Sequence, residues 1–383
     1  MSVAVGVLVV SLSLTAWESD EEKLPGVATR EDVASREELM RRGSEIAERA
    51  LRFLASQQRH DGSFPSEEIY RQAPIAVTAI AALAFMANGS TPERGPYSVN
   101  VQLAVGWLLD CCRLPPAGAD PDAASGPEAD PWGYFKRDYD NNSKMHGQGY
   151  ATLALAEAYG MFGISGGRTD KSQQLRRCLE LAVACIERGQ TLTGGWGYLP
   201  NDTFHEGSVT ITQIQALRAA RNCGIAVGKE TIERAVQYVR DSQWLAPEDH
   251  PSYGGFRYQR NDTRVTFALT AGAVATLNAT GDYDSRVIDL GLDYMQRKDP
   301  WTRREEEYYA HYSRLYAGQA YYQYRDPGLF WRHWYPTLLE VLESEQSEKD
   351  GSFTDSNYGR CYATAMSALT VAIPFGYLPI LQR

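Results

Sequence analysis

Apolar positions return along the chain in two alternating textures. Between residues 37 and 57 they recur at helical spacing, with Leu39, Ile46, Ala50, Phe53 and Leu54 separated by charged residues. That spacing predicts an amphipathic helix covered on one face only. Residues 75–87 (IAVTAIAALAFMA) carry almost no polar side chain, which predicts a helix enclosed on most sides. The alternation continues to the end of the chain. Amphipathic segments fall near 99–111, 173–188, 229–242, 285–295 and 331–343; apolar segments rich in small residues fall near 146–159, 208–222, 265–279, 308–324 and 362–373. Six outer and six inner helices result.

The junctions repeat as well. QTLTGGWGYLPNDTFHEGSVTITQIQAL, residues 190–217, has relatives at Gln57 (QQRHDGSF), Gln243 (QWLAPEDHPSYGGFRY) and Gln346 (QSEKDGSF), with weaker copies at Asp130 (DPWGYF) and Gln296 (QRKDPW). The glycines permit the positive φ that stops a helix. The aromatic after them (Phe64, Trp196, Phe256, Phe353) is suited to wedge between hairpins, and the glutamine to bond an exposed helix end. Six such hairpins predict an all-α, (α/α)6 toroid, with inner helices parallel in a barrel and outer ones antiparallel around it. The competing arrangement is an open superhelix. A ring needs no polar capping repeat, and the last repeat ends in the apolar FGYLPIL.

The domain reading is one toroid over 37–383, preceded by an acidic, aperiodic lead-in over 18–36. Residues 1–17 include an apolar stretch of signal-segment length without a basic flank; it points to export, to the periplasm or outside, and otherwise the chain is cytoplasmic. An insertion at 113–131 (RLPPAGADPDAASGPEADP) breaks the rhythm and reads as a mobile lid or a tolerated surface loop. The net charge of −10 argues against nucleic acid as partner, and no apolar run reaches the length of a spanning helix. Six cysteines form no Cys-x-x-Cys pair and read as buried thiols. No cofactor and no metal site are expected.

The passages HGQGYATLALAEAYGM, GGWGYLPNDTFHEGSVTITQIQALRAA and DGSFTDSNYGRCYATAMSALTVAIPFGYLPILQR resemble the prenyltransferase and squalene oxidase repeat, the QW-type repeat of terpenoid cyclases, in its single-domain bacterial form. The resemblance implies the toroid. That fold serves squalene–hopene cyclases, protein prenyltransferase β-subunits and complement-type thioester domains, and each signature is missing. There is no Asp-x-Asp-Asp; the nearest acidic runs are Asp120-Pro-Asp122 and Asp138-Tyr-Asp140-Asn141. Gly254–Asp262 and Tyr358–Tyr362 resemble the zinc-binding segments of prenyltransferases, but Thr263 to Phe267 offer no cysteine and Gly359 stands where the ligand histidine belongs. No Cys-Gly-Glu-Gln run exists.

In such a toroid the amino ends of the inner helices share one face, where free N–H groups favour anions and polar groups. Residues expected there are Arg71 with Gln72, His146, His205 with Glu206, Asp262 with Arg264, Tyr308 with His311, and Arg360 with Cys361. The histidines either take part in acid–base chemistry or cap helices and bond loop carbonyls. Tyr308, Tyr312, Tyr316, Gln319 and Gln323 share one helix face, as do His146, Tyr150, Leu153 and Glu157. These faces predict an aromatic lumen suited to an apolar ligand, or plain packing. Buried, Glu157 needs a partner, and Arg218 is one candidate. Asp262, Glu206 and Glu157 are the candidate catalytic carboxylates. Two functions follow: an isoprenoid or lipid bound in the central cavity, with cyclase-like isomerase, lyase or prenyl-transfer chemistry if the protein is an enzyme; or a non-catalytic scaffold whose rim binds a protein or glycan.

Overall fold

The computed structural model describes residues 30–66, 72–116, 130–162, 170–283, 285–303 and 307–382. Residues 1–29, Arg71 and the centre of the insertion, 117–129, lie outside the described residues. The helices are α1 (Arg30–Gln57), α2 (Pro74–Ala87), α3 (Ser98–Cys111), α4 (Lys144–Phe162), α5 (Asp170–Arg188), α6 (Gly207–Asn222) and α7 (Lys229–Asp241). They continue as α8 (Phe267–Ala279), α9 (Arg286–Lys298), the short α10 (Pro300–Arg303), α11 (Ala310–Gln323), α12 (Tyr335–Glu345) and α13 (Gly359–Val371). Helix α1 begins seven residues before the expected start. Its extra turns lie beside the π-helical stretch Leu329–Trp334, where Asp32 pairs with Arg332 at 3.2 Å and Arg36 stands over the Trp331 ring.

The inner helices pack in the cyclic order α2, α4, α6, α8, α11, α13 and back to α2, so the ring closes and the open superhelix is excluded. The outer helices α3, α5, α7 and α9 each lie mainly on the inner helix that precedes them in the chain; α11 is met instead by the π-helical stretch Leu329–Trp334 that leads into α12, and α1, having no inner helix before it, packs on α13. The fold is the expected (α/α)6 toroid. α2 is buried along its whole length and α8 likewise, as their apolar texture requires.

The repeated junction has one atomic plan. The aromatic wedges Phe64, Trp196, Phe256 and Phe353 are fully buried, and the backbone N–H of each donates to a threonine hydroxyl on the inner helix that follows: Thr78, Thr210, Thr270 and Thr364, at 2.9–3.1 Å. The glutamine does more than end its own helix. Gln58, Gln190, Gln243 and Gln346 each donate to a carbonyl of their own glycine turn and to one on the next outer helix: Asn100, Thr231, Val287 and Ile46. The bond from Gln346 to Ile46 ties the sixth repeat to the first. In the second repeat Gln148, from the inner helix, replaces it, reaching Gly133 O and Ala182 O and accepting from Phe135 N–H.

Gly194 sits at φ +93°, and a Cβ there would collide with the backbone carbonyl of Arg234 on α7. Both features exclude a side chain. Gly194→Ala is therefore expected to cost roughly 1–3 kcal/mol, read as a lower urea midpoint with an unchanged helical spectrum; an unchanged midpoint would show that the turn yields freely.

Candidate functional site

The lumen is closed at the carboxyl ends of the inner helices. Residues 373–382 fold across that end as two short 3-10 turns. Gln323 donates to Leu381 O (3.1 Å) and Gln382 O, Arg218 Nη2 donates to Gln382 O at 3.2 Å, and the Glu157 carboxylate accepts from Ile380 N–H at 3.3 Å. The hydrogen-bond partner of Glu157 is thus a backbone amide, and Arg218 acts on it only electrostatically. Burial pushes the Glu157 carboxyl up to about 7.

Halfway up, side chains cross the barrel. Tyr150 on α4 and Tyr316 on α11, diametrically opposed in the ring, bring their hydroxyls to 3.4 Å. Gln215 on α6 donates to Gln319 on α11 at 2.9 Å. Above this floor the Tyr312 ring lies 4.5 Å from that of Tyr316. Tyr316 is fully buried and Tyr150 7 % exposed, whereas His146, Ser208, Tyr312 and Tyr362 are half-buried. From Lys144 at the start of α4 to Tyr150 is six residues, so Tyr150 lies about 9 Å along that helix from the mouth. Burial pushes the Tyr150 phenol up to about 12 and those of Tyr312, Tyr316 and Tyr362 well above their ordinary value, so all four remain protonated at neutral pH.

At the mouth three polar side chains form a chain. Glu206 is completely buried and caps α6, accepting from Ser208 N–H (2.8 Å) and Val209 N–H (2.9 Å). Ser208 Oγ donates to the same carboxylate at 2.7 Å and lies 2.9 Å from His146 Nε2. The serine hydroxyl has one hydrogen and directs it to Glu206, so Nε2 of His146 carries the other and donates. Burial holds His146 below its ordinary range, with Glu206 opposing, so the ring is neutral at pH 7. Its Nδ1 lone pair has no partner among the described residues. The arrangement can accept a proton at Nδ1 and stabilise the resulting cation through Ser208 and Glu206. Above it, Tyr198 and Tyr258 join hydroxyls at 2.6 Å, and Arg264 lies 3.9 Å over the Tyr258 ring.

Of the residues expected at the mouth, His146, Tyr150, Glu206, Tyr312 and Tyr316 come together. Others do not. Asp262 lies on the rim with both oxygens engaged by Arg264, which holds its carboxyl below the usual range, and Glu157 is at the opposite end of the barrel. His311 is one residue from Tyr312, which turns it 100° around the helix: Nε2 contacts Thr354 O (3.1 Å) and Nδ1 contacts Ser367 on α13. Nδ1 of His205 contacts Tyr238 OH on outer helix α7 at 2.9 Å. Arg360 turns outward, pairing with Asp350 and stacking over Phe53 of α1. Cys361 is fully buried, and the exposed Tyr308 donates to Asn357. Nor is the mouth a row of free N–H groups. Asp140 and Ser143 accept from α2, Glu206 from α6 and Thr266 from α8. The sequence reading missed Ser208, Tyr198, Tyr258 and Tyr362. Tyr198 and Tyr258 had a signal, since each stands two residues after a wedge aromatic.

No family model matches the chain and no curated protein sequence matches it; solved structures do. The type II terpene cyclase MstE from Scytonema superimposes with a TM-score of 0.53 at 15% identity, over 87% of this chain and 97% of the cyclase. The GH76A alpha-1,6-mannanase from Salegentibacter sp. HEL1_6 gives 0.57 at 10% identity, over 86% and 98%, and a D-mannose isomerase 0.55 at 10%, over 91% and 99%. These similarities show an α/α toroid and leave its chemistry open.

Proposed function

We propose that the toroid binds a short, neutral, largely apolar ligand of the isoprenoid class in the mouth-side half of its lumen. The supporting observation is the tyrosine floor: Tyr150, Tyr312, Tyr316 and Tyr362, from three inner helices, beneath half-buried His146 and Ser208. Aromatic faces supply apolar contact and can stabilise positive charge. The carboxylates of Asp140 and Glu206 already occupy helix amino ends, which disfavours an anionic ligand. The short distance from the mouth to Tyr150, about 9 Å along α4, favours a short chain over a long one. His146 would then meet the ligand as a neutral base.

Farnesol is the test ligand. Tyr312→Ala combined with Tyr316→Ala is expected to raise its Kd at least about tenfold, a loss of about 1.4 kcal/mol, by isothermal calorimetry. Equal affinity in wild type and double variant would remove the lumen as the site. The second reading, a rim that binds a protein or glycan, is supported by exposed Phe204 (41 %), Tyr308 (63 %) and Tyr309 (53 %) around the mouth. A neutral oligosaccharide that binds where farnesol does not would favour it.

A further inference from the structure

A wide groove lies outside the lumen. It has a volume of about 480 Å³ and is lined by Asp241, Trp244, Arg257, Arg260, Asn261, Asp262 and Thr263. The turn that forms much of it is pinned by the Tyr258 N–H to Arg264 O bond and the Arg257–Val265 bridge. In extended backbone successive side chains point to opposite sides. Tyr258 accordingly meets Tyr198 at the mouth, while Arg257 extends over the Trp244 ring, 4.6 Å from its centroid.

The carboxylates of this groove are already satisfied. Asp241 accepts from Gln237 (2.7 Å) and pairs with Arg260 at 2.7 Å, and Asp262 is held by Arg264 through side chain and backbone. What remains is a set of donors. Arg257 donates from Nη1 to Gln243 O at 3.1 Å, and its Nε and Nη2 have no partner among the described residues. The Trp244 indole N–H has none either. With each aspartate balanced by an arginine, Arg257 leaves a net positive charge, half-buried and without a counter-ion among the described residues.

We propose that this groove binds a carboxylate, gripped side-on by the Nε–H and Nη2–H of Arg257. That edge of a guanidinium matches the two oxygens of a carboxylate in one plane. The chain uses the same geometry between Arg42 and Glu343, where Nε and Nη2 reach one oxygen each at 2.8 and 2.7 Å. A half-buried guanidinium with one N–H edge unmatched is costly, and an incoming carboxylate supplies the acceptors that edge lacks. Asn261 and Thr263 add an amide and a hydroxyl at the edge. The site is independent of what the lumen holds.

The test is a titration with succinate at constant ionic strength, followed by the Trp244 indole N–H resonance, assigned with Trp244→Phe. Saturable shifts with a Kd on the order of 1 mM are expected, and Arg257→Lys, which keeps the charge and loses the fork, should raise Kd at least about tenfold. Dimethyl succinate, the same skeleton without charge, should not bind; this comparison uses wild-type protein and holds even if the variant fails to fold. Absence of saturation, equal binding of the ester, or inorganic phosphate binding as tightly as succinate would each overturn the assignment, the last by showing a general anion site.

Discussion

Trp196→Ala is expected to lower the stability of the protein by about 3–5 kcal/mol, the range for emptying a large buried aromatic site. Trp196 has no exposed surface, and two separate losses coincide there. Its ring fills the wedge between adjacent hairpins, and its indole N–H donates to Ile186 O at 2.7 Å at the end of α5; the backbone N–H to Thr210 bond is kept by either substitution. Trp196→Phe separates the first loss from the second. Phenylalanine already fills the same repeat position at 64, 256 and 353, so packing is largely kept, and the remaining cost is the unpaired carbonyl of Ile186, about 1–3 kcal/mol. Urea unfolding followed by circular dichroism measures both. Equal effects of the two substitutions would mean that the hydrogen bond, rather than the volume, holds the hairpins together.

Glu157→Gln is expected to stabilise the protein at pH 8 and to leave it unchanged near pH 4. The folded-state carboxyl is pushed up to about 7 from an ordinary 4.5. Between those values the folded chain holds a proton that the unfolded chain has released, so stability falls as pH rises through this window and stays reduced above it. The full effect is roughly 3 kcal/mol. Glutamine keeps an acceptor for Ile380 N–H and cannot ionise, so this part of the pH dependence should vanish. Unfolding measured at about pH 4, 6 and 8 for both proteins gives the comparison. Parallel pH curves would show that Glu157 titrates normally and that residues 373–382 do not shield it.

The six helix pairs and the ring were legible because each depends on a local pattern repeated six times; the short α10 was not. An amphipathic stretch such as Glu37–Gln57 and an apolar one such as Ile75–Ala87 have no other way to bury their faces. Of the expected row Tyr308, Tyr312, Tyr316, Gln319 and Gln323, the last four share the inner face of α11, since helical spacing fixes a face before any packing is known; Tyr308 does not, because α11 begins only at Ala310 and its side chain is exposed beside Asn357. His311 failed because one residue of rotation carried it to the neighbouring helix, and Arg360 because Asp350 offered an outward partner. Ser208 was invisible, since a serine acquires a role only from what stands opposite it, here His146 across 62 residues of chain.

The sequence by itself therefore determined the alternation of covered and enclosed helices, the glycine–aromatic junctions and the closed architecture they favour, because these follow from periodicity and from backbone sterics. Only the tertiary structure decided that Tyr150 meets Tyr316 across the barrel, that residues 373–382 shut the far end over Glu157, and that carboxylates already occupy amino ends at the mouth. Those outcomes depend on which side chains from distant repeats reach the same few ångströms, and no local pattern encodes that distance.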